Sequence, residues 1–281
     1  MRYLRTHSLL LLLALSSCTT MRYTGVNRVR DYHITSSELP TAFDGYRIAF
    51  ASDFHLESKF KKRQLQGTIK ALKALSPNLL LLGGDYQEGC KYVVPLFDAL
   101  SKITTSDGTF AVLGNNDYER CTALIRSTMR EKGIILLEDS TVTIHRDSDS
   151  ITLWGANAYA GRYPTAPIKT VTVTGDEYQG FNEERAPRFI ILLTHTPDLV
   201  EDTDIRGVDL ALAGHTHGGQ VTLFGLYAPI TASKYGTRFR TGLRHNTQGI
   251  PVIISGGLGT SQHNIRFCAP TDITIVTLKR K

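Results

Sequence analysis

Five short apolar runs in this chain each end in a turn residue, and a polar side chain that can bind a metal follows at once. Runs that are apolar on both faces and bounded by Gly or Ser are typical of strands buried in the middle of a sheet. They occupy residues 47–52, 79–82, 110–113, 189–193 and 210–213. The pattern predicts an α/β protein whose polar residues meet at the carboxyl edge of the strands, where such sheets bind ligands.

The polar residues at these strand ends predict a pair of divalent cations. They are carboxylates, an amide and imidazoles: Asp53, His55, Asp85, Asn115, His195, His215 and His217. Two cations about 3.5–4 Å apart need a shared anionic ligand, and Asp85 can bridge them with its two oxygens. Oxygen and nitrogen donors without a thiolate suit Mn²⁺, Fe or Zn²⁺ better than Ca²⁺ or Cu⁺, and we favour Mn²⁺.

In their order and spacing these motifs resemble those of the calcineurin-like metallophosphoesterases. The shared motifs are Asp53-x-His55, Gly84-Asp85, Gly114-Asn115, His195 and Gly214-His215-x-His217. The resemblance extends over residues 45–278. The run Gly-His-Thr-His-Gly-Gly-Gln, which starts at Gly214, is similar to that of a bacterial subgroup containing secreted phosphodiesterases and UDP-2,3-diacylglucosamine pyrophosphatases.

The resemblance implies which residues hold each metal. One cation would be bound by Asp53, His55, Asp85 and His217, and the other by Asp85, Asn115, His195 and His215. It also implies that a hydroxide between the metals attacks phosphorus, so the chain would be a metal-dependent phosphoric ester hydrolase. Metal coordination supports this chemistry because it lowers the pKa of water from about 15.7 to about 7.

The chain departs from the family pattern at Asn116, where many members carry a histidine. An amide donates a hydrogen bond but cannot deliver a proton near pH 7. Substrates with good leaving groups, such as pyrophosphates, aryl esters or nucleotide diphosphates, depend less on such an acid, and some family members without this histidine hydrolyse pyrophosphate or diester bonds. A diester or pyrophosphate is therefore favoured over an alkyl monoester. Asn116 could instead only complete a turn, and Asp117 could cap the next helix as well as orient site groups. Asn116, Asp117 and His215 are the catalytic candidates.

Residues 1–18 have the pattern of a bacterial lipoprotein signal peptide. Arg2 and Arg5 precede a short apolar core, and Leu15-Ser16-Ser17-Cys18 matches a lipobox. The alternative is a plain cleaved signal or an uncleaved anchor. The pattern predicts lipidation of Cys18 and a membrane-anchored, extracytoplasmic protein of the bacterial cell envelope. Residues 19–44 would form a tether and lead-in, and residues 45–281 the catalytic domain.

Several functions stay open at this point. The expected substrate is a phosphorylated small molecule or lipid, since a formal net charge of +6 is too small to indicate a nucleic-acid partner. A UDP-2,3-diacylglucosamine pyrophosphatase of lipid A synthesis is one alternative, although its substrate faces the cytoplasm and the lipobox argues against that side. The other is a non-catalytic, metal-stabilised binding module. Arg162, Tyr163 and His263 are further candidates for substrate contact.

The remaining pattern predicts helices between the first strands, over residues 61–75, 93–103 and 118–132. Further short strands are expected at residues 134–137, 142–145, 151–154, 221–223, 252–255 and 273–278. Strand–helix alternation followed by short strands favours two mixed sheets. The family resemblance implies a four-layer α/β/β/α sandwich. Cys90 and Cys121 should lie on neighbouring loops, so a disulfide between them is plausible in an oxidising compartment.

Overall fold

The computed structural model describes residues 26–57, 62–158, 169–170 and 189–281. Its strands are β1 (Arg28–Ser36), β2 (Arg47–Ala51), β3 (Leu79–Leu82), β4 (Thr109–Ala111), β5 (Ile135–Leu136), β6 (Ser140–Arg146), β7 (Asp149–Ala156), β8 (Lys169–Thr170), β9 (Ile190–Thr194), β10 (Leu210–Ala213), β11 (Gly242–His245), β12 (Pro251–Ile254) and β13 (Asp272–Arg280). Its α-helices are α1 (Lys62–Leu75), α2 (Val93–Leu100), α3 (Asn115–Glu119), α4 (Thr122–Glu131) and α5 (Asp198–Asp202). Short 3₁₀ helices lie at Thr41–Phe43, Cys90–Tyr92, His217–Gly219 and Gly236–Phe239.

The strands form two mixed sheets. The first has the order β1-β13-β2-β3-β4-β5 and the second the order β11-β12-β10-β9-β7-β6-β8. Strands β2 to β5 run parallel to one another, whereas β13 runs antiparallel to β2. In the second sheet β7, β9, β10 and β12 are parallel. Each sheet therefore collects the carboxyl ends of its central strands at one edge.

The two sheets pack face to face, and helices cover both outer faces. In β3, Leu79 and Leu81 belong to the core between the sheets, whereas Leu80 and Leu82 belong to the core under the helices. This division follows the two-residue period of a strand, and it explains why β3 is apolar throughout. On the far side, Leu199 and Val200 of α5 pack with outward-facing residues of the second sheet. The expected α/β/β/α sandwich is confirmed.

Residues 28–36, expected in the lead-in at 19–44, form the edge strand β1. This strand pairs in parallel with β13 along its whole length, from Arg28 beside Asp272 to Ser36 beside Arg280. The strand was not predicted because Ile34 is its one buried residue, so it lacks an apolar pattern. The first sheet thus begins earlier in the chain than the expected domain boundary at residue 45.

Two other expected elements differ from the structure. The helix expected over 118–132 is divided into α3 and α4, because Cys121 adopts a left-handed backbone with φ 64° between them. Residues 221–223 do not form a strand. Val221 makes an isolated bridge to Phe267, and Leu223 makes one to Tyr227, as part of a projecting turn.

The disulfide between Cys90 and Cys121 is confirmed. The two Cα atoms lie 5.4 Å apart, and the bond spans 31 residues of the chain. It ties the segment after β3 to the start of α4. These are the two loops that follow the Asp85 and Asn115 motifs, so the disulfide braces one side of the strand-end edge.

The signal peptide, Cys18 and the first part of the tether lie outside the described residues and stay predictions. Arg162 and Tyr163 also lie outside them. Within the part of the chain that the structure describes, no helix reaches the length and apolar character needed to cross a bilayer.

Candidate metal centre

The structure brings the seven predicted metal ligands together as two adjacent groups of donor atoms. In the first group, His55 Nε2 lies 3.1 Å from His217 Nε2, and His217 Nε2 lies 3.5 Å from Asp53 Oδ1. Asp53 and His55 follow β2, and His217 lies in the turn after β10. Strand ends from both sheets therefore contribute to one group of converging donors.

The second group lies on the other side of Asp85. His195 Nε2 is 3.1 Å from His215 Nδ1, 3.2 Å from Asn115 Oδ1 and 3.4 Å from Asp85 Oδ2. These residues follow β9, β10, β4 and β3, respectively. The donor atoms thus lie in two adjacent groups, and the binding of one metal by each group stays a prediction.

Asp85 joins the two groups through one oxygen atom. Its Oδ2 lies 3.3 Å from His55 Nε2 and 3.4 Å from His195 Nε2. Its other oxygen, Oδ1, accepts a hydrogen bond of 3.0 Å from the backbone N–H of Asn116. The structure thus places Oδ2 beside both groups, whereas Oδ1 is held by the backbone of the loop that carries Asn116.

The donor set fits divalent cations. Donor atoms about 3 Å apart are what an octahedral shell with bonds of about 2.1 Å requires. The side chains of Asp53, His55 and His195 are almost fully buried, so water is largely excluded from their donor atoms. A bound cation would take the place of that water. Neutral imidazole with carboxylate and amide oxygens suits Mn²⁺, Fe or Zn²⁺.

Five of the seven proposed ligands have a left-handed backbone. Their φ angles range from 41° to 71°, at Asp53, His55, Asp85, His215 and His217. Such angles cost free energy in residues other than glycine and persist where the surrounding structure demands them. At each position the chain turns sharply as it leaves a strand, and this turn aims the side chain across the sheet edge. The backbone strain is therefore part of how the site is built.

Hydrogen bonds to the outer ring nitrogens select the ligand tautomers. His195 Nδ1 lies 2.7 Å from the carbonyl oxygen of Gly83, so Nδ1 carries the proton and Nε2 has a lone pair for a metal. His55 Nδ1 likewise donates to the carboxylate of Glu88. In both residues Nε2 is the atom that faces the other donors.

Asp117 orients the loops that carry the ligands. Its carboxylate is fully buried and accepts hydrogen bonds from the backbone N–H groups of Asp85 (2.7 Å), Tyr86 (3.0 Å) and Gly114 (2.9 Å). Burial and the charge of Asp85 raise the pKa of Asp117 to about 7, against the effect of these hydrogen bonds. The geometry thus supports the orienting role expected for Asp117, since both of its oxygens are occupied by backbone.

Comparisons with known proteins bear on this geometry. The family model of the calcineurin-like phosphoesterases matches residues 46–219, which include all seven proposed ligands. The chain belongs to this family.

Among the relatives of this calcineurin-like phosphoesterase, the uncharacterized metallophosphoesterase YkuE of Bacillus subtilis (strain 168) is 30% identical over 89% of this chain and 84% of its own length. An uncharacterized metallophosphoesterase of Aquifex aeolicus (strain VF5) is 28% identical over 90% of this chain and 92% of its own length. The phosphodiesterase YaeI of Escherichia coli (strain K12) is 30% identical over 83% of this chain and 82% of its own length. The chain is thus a metal-dependent phosphoesterase, and the alternative of a non-catalytic binding module is set aside.

Glu88 is a site residue that the sequence did not reveal. Besides accepting from His55, its Oε1 accepts from Asn116 Nδ2 at 2.7 Å, and its Oε2 accepts from Arg120 Nη1 at 3.0 Å. Its only sequence signal is an acid three residues after Asp85, which is too common to indicate a role. A carboxylate behind a histidine ligand raises the basicity of the ring and holds its orientation.

Replacing Glu88 with glutamine is expected to weaken Mn²⁺ binding about 10–100-fold, the usual effect of losing such a partner. The amide still accepts from His55 but carries no charge, so the ring becomes a poorer ligand. Titration of the metal-free protein measures the affinity. Glu138→Gln is the matched control, because Glu138 pairs with Arg126 in an exposed salt bridge. Equal affinities for the two variants would contradict this role.

In the metal-free metallophosphoesterase the surroundings of each group of donors raise the pKa of one histidine and lower that of the other. Burial lowers the pKa of His55, but hydrogen bonds to Asp85 and Glu88 raise it to about 10. Burial also lowers the pKa of His195, and the charge of Asp85 raises it to about 9. Burial and the charge of His195 lower the pKa of His215 to about 4, and burial and His55 lower that of His217 well below its usual range.

Metal binding is therefore expected to release about two protons per chain at pH 7, because His55 and His195 must lose their Nε2 protons to bind cations. Both raised pKa values lie above pH 7 and each cation displaces one proton, so the Mn²⁺ affinity of each site should rise by up to about tenfold per pH unit between pH 6 and 8. The product of the two binding constants should rise by up to about 100-fold per pH unit, and both should level off above pH 10. Calorimetry in buffers with different ionisation heats counts the protons. A count near zero with pH-independent affinity would contradict this linkage.

A cavity of about 400 Å³ opens over the metal centre of this phosphoesterase. Asp85, Asn115, His215 and His217 line it from below. Its walls come from the segments after β10 and after β12, and they include His263, one of the predicted substrate contacts. A site of this size admits a phosphoryl group together with part of its ester substituent.

Proposed function

We propose that this metallophosphoesterase hydrolyses phosphodiesters with two bound divalent cations, preferably Mn²⁺. Asp53, His55, Asp85 and His217 would hold one cation, and Asp85, Asn115, His195 and His215 the other. Cations held there would lower the pKa of a coordinated water toward about 7 and draw negative charge from the phosphoryl oxygens. The sharing of Asp85 Oδ2 between the two groups supports a dinuclear centre.

The preference for diesters rests on Asn116. Its amide Nδ2 donates to Glu88, and its Oδ1 accepts from Asn115 Nδ2 at 3.1 Å. The side chain is thus engaged in holding two residues of the site, and at pH 7 it has no proton to give. A leaving group of high pKa, such as an alkoxide from a monoester, gains no acid from this position. Diesters and phosphoanhydrides with better leaving groups depend less on such an acid.

Substrate selectivity tests this proposal. The Mn²⁺-loaded protein is expected to hydrolyse bis-p-nitrophenyl phosphate and to be nearly inactive on the alkyl monoester β-glycerophosphate. Asn116→His is expected to raise kcat/KM for β-glycerophosphate about 100-fold, the lower range of general-acid catalysis. Asn116→Gln is the matched control, because it keeps an amide and should gain nothing.

Wild-type protein that hydrolysed β-glycerophosphate and the diester with similar kcat/KM would overturn the diester preference. So would equal gains in the histidine and glutamine variants, since proton transfer would then not be the cause. Both results leave the metal-dependent reaction itself untouched.

We further propose that the protein acts outside the cytoplasm as a lipoprotein of the cell envelope. The disulfide between Cys90 and Cys121 supports this location, because such bonds persist in oxidising compartments. The same observation disfavours a UDP-2,3-diacylglucosamine pyrophosphatase, whose substrate faces the cytoplasm. Protease treatment of intact spheroplasts should degrade the protein, and full protection would favour an inward-facing body.

A further inference from the structure

The exposed apolar side chains of this protein are concentrated around the mouth of the metal cavity. Among the described residues, ten large apolar side chains are more than a third exposed. The six most exposed of these define what we call the apolar rim: Leu223, Phe224, Leu226, Tyr227, Ile230 and Ile265. Leu226 is 82% exposed and Ile230 is 78% exposed. Contiguous apolar surface of this kind marks an interaction site.

The turn that carries most of the apolar rim has a backbone conformation that costs free energy. The N–H of Leu226 donates to the carbonyl of Leu223 at 3.0 Å, and the two residues between them have φ 54° (Phe224) and φ 76° (Gly225). Two successive positive φ angles are the pattern of a type I′ turn, which prefers Asn before Gly. A bulky aromatic residue is disfavoured there. Phe224 is also 49% exposed, so burial of its ring does not offset the free energy that its backbone conformation costs.

The turn is held firmly at its base. The hydroxyl of Thr222 donates to the carbonyl of Cys268 at 2.7 Å, and Arg240 Nη2 donates to the carbonyl of Gly225 at 2.6 Å. Arg240 is mostly buried, and its Nη1 donates to the carbonyl of Gly218. A fixed projection with apolar side chains at its tip can insert into a partner without first being ordered.

The surroundings of the apolar rim are basic. Residues 210–271 contain no Asp or Glu, but they contain five Lys or Arg residues. Two of these cations, Lys234 and Arg238, pair with acids of α5. Arg240, which contacts Gly225 of the turn, instead donates to backbone carbonyls, so it brings positive charge to this face. Apolar side chains set among cations complement a surface that is apolar inside and anionic at its boundary.

The N-terminal part of the chain reaches the domain on the same side. The backbone N–H groups of Asn27 and Arg28 donate to the hydroxyl and carbonyl of Thr271 at 3.0 and 3.1 Å. Thr271 lies three residues after Cys268, whose carbonyl accepts from the base of the turn. Seven residues lie between Cys18 and Val26, and the eight Cα–Cα steps from one to the other span at most roughly 29 Å when fully extended. A membrane anchor at Cys18 would therefore hold the apolar rim within reach of the same bilayer.

We propose that the apolar rim inserts into the surface of a phospholipid bilayer that carries anionic headgroups. Leu223, Phe224 and Leu226 enter the acyl boundary, and Tyr227 lies at headgroup level, where aromatic residues with a polar end are favoured. Ile230 and Ile265 also line the metal cavity, so this docking turns the mouth of the cavity toward the headgroups. The docking does not depend on which phosphoester the enzyme hydrolyses.

Tryptophan fluorescence in the full chain tests this docking. The native protein has one tryptophan, Trp154, and it is only 8% exposed, so an added indole gives a separate signal. Phe224→Trp and Leu226→Trp report on the apolar rim. Leu124→Trp is the matched control, on the exposed face of α4. All three variants have the same N-terminus, so any tether acts on them equally. Phe224 and Leu226 are not part of the metal centre, so turnover of bis-p-nitrophenyl phosphate verifies the fold.

With vesicles of phosphatidylcholine and phosphatidylglycerol, both rim reporters are expected to shift their emission to shorter wavelength. Lipids with brominated acyl chains should quench them at least about twofold more than Leu124→Trp. Pure phosphatidylcholine or high salt should reduce the quenching, because the basic surroundings contribute.

Equal quenching at all three positions, or none at the rim, would overturn the proposal. A shift that needs no lipid and grows with protein concentration would also overturn it, because the apolar rim would then be an interface between two copies of the chain.

Discussion

Replacing Asp85 with asparagine is expected to abolish turnover of phosphodiesters, with a loss in kcat/KM on the order of 10⁴-fold or more. Asp85 Oδ2 lies 3.3 Å from His55 Nε2 in one group and 3.4 Å from His195 Nε2 in the other. It is also the anion that raises the pKa values of His55 and His195. An amide in its place removes the shared negative charge, so two cations would be held next to each other without the ligand that offsets their repulsion.

Metal analysis and kinetics together check this prediction. The wild-type protein should bind about two Mn²⁺ per chain, as a dinuclear site requires, and the variant should bind fewer than about one. Asp204→Asn is the matched control, because Asp204 is exposed and forms a salt bridge with the neighbouring Arg206. Circular dichroism should show both variants folded. An Asp85→Asn variant with two metals and turnover within tenfold of wild type would refute the shared role of this carboxylate.

Gly114→Ala is expected to lower kcat/KM for phosphodiesters by on the order of 100-fold or more without changing any ligand. A Cβ atom at Gly114 would lie 2.1 Å from Asp85 Oδ1 and 2.5 Å from the backbone nitrogen of Asp85. The backbone of Gly114, with φ −93°, suits any residue, so the requirement for glycine comes from space alone. The bridging carboxylate must move to admit the methyl group. Displacement by about 1 Å costs on the order of 100-fold in rate, and a lost metal costs more.

Gly89→Ala serves as the control for this substitution. Gly89 also lies beside the site, but its backbone is extended and a Cβ there would meet Tyr92 at an ordinary 3.7 Å. We expect Gly89→Ala to keep both metals and nearly full turnover. If Gly114→Ala behaved like Gly89→Ala in metal content and kcat/KM, the close packing of Gly114 against Asp85 would not control the site.

The metal ligands could be predicted because each of them follows a strand that is buried on both faces. A run such as Leu79–Leu82 is apolar throughout, and the polar residue after it must lie at the end of the sheet. Parallel strands bring those ends to one edge, so ligands far apart in sequence were expected to meet. The disulfide between Cys90 and Cys121 followed from the same reasoning, since both loops start at that edge.

Other features could not be predicted from the neighbouring sequence. The strand β1 is mostly exposed, and nothing in its composition distinguishes it from a tether. The role of Glu88 comes from its position behind His55. The disulfide and the contact with Arg120 hold the loop that carries it. Residues 221–223, where the apolar rim begins, were assigned to a strand because Val221 and Leu223 alternate with Thr222, whereas the backbone turns at Phe224. In each case the deciding partner is distant in the chain.

The amino-acid sequence by itself indicated two mixed sheets and placed metal-binding side chains at the strand ends, because hydrophobic periodicity and side-chain chemistry are local properties. The assignment of each ligand to one of two cations came from the resemblance to the calcineurin-like phosphoesterases. Only the tertiary structure decided that Asp85 faces both groups with a single oxygen, that Glu88 supports His55, and that the exposed apolar side chains surround the cavity. Those outcomes depend on distances between segments that fold together from far apart, and hydrogen-bond geometry over such distances is set by packing.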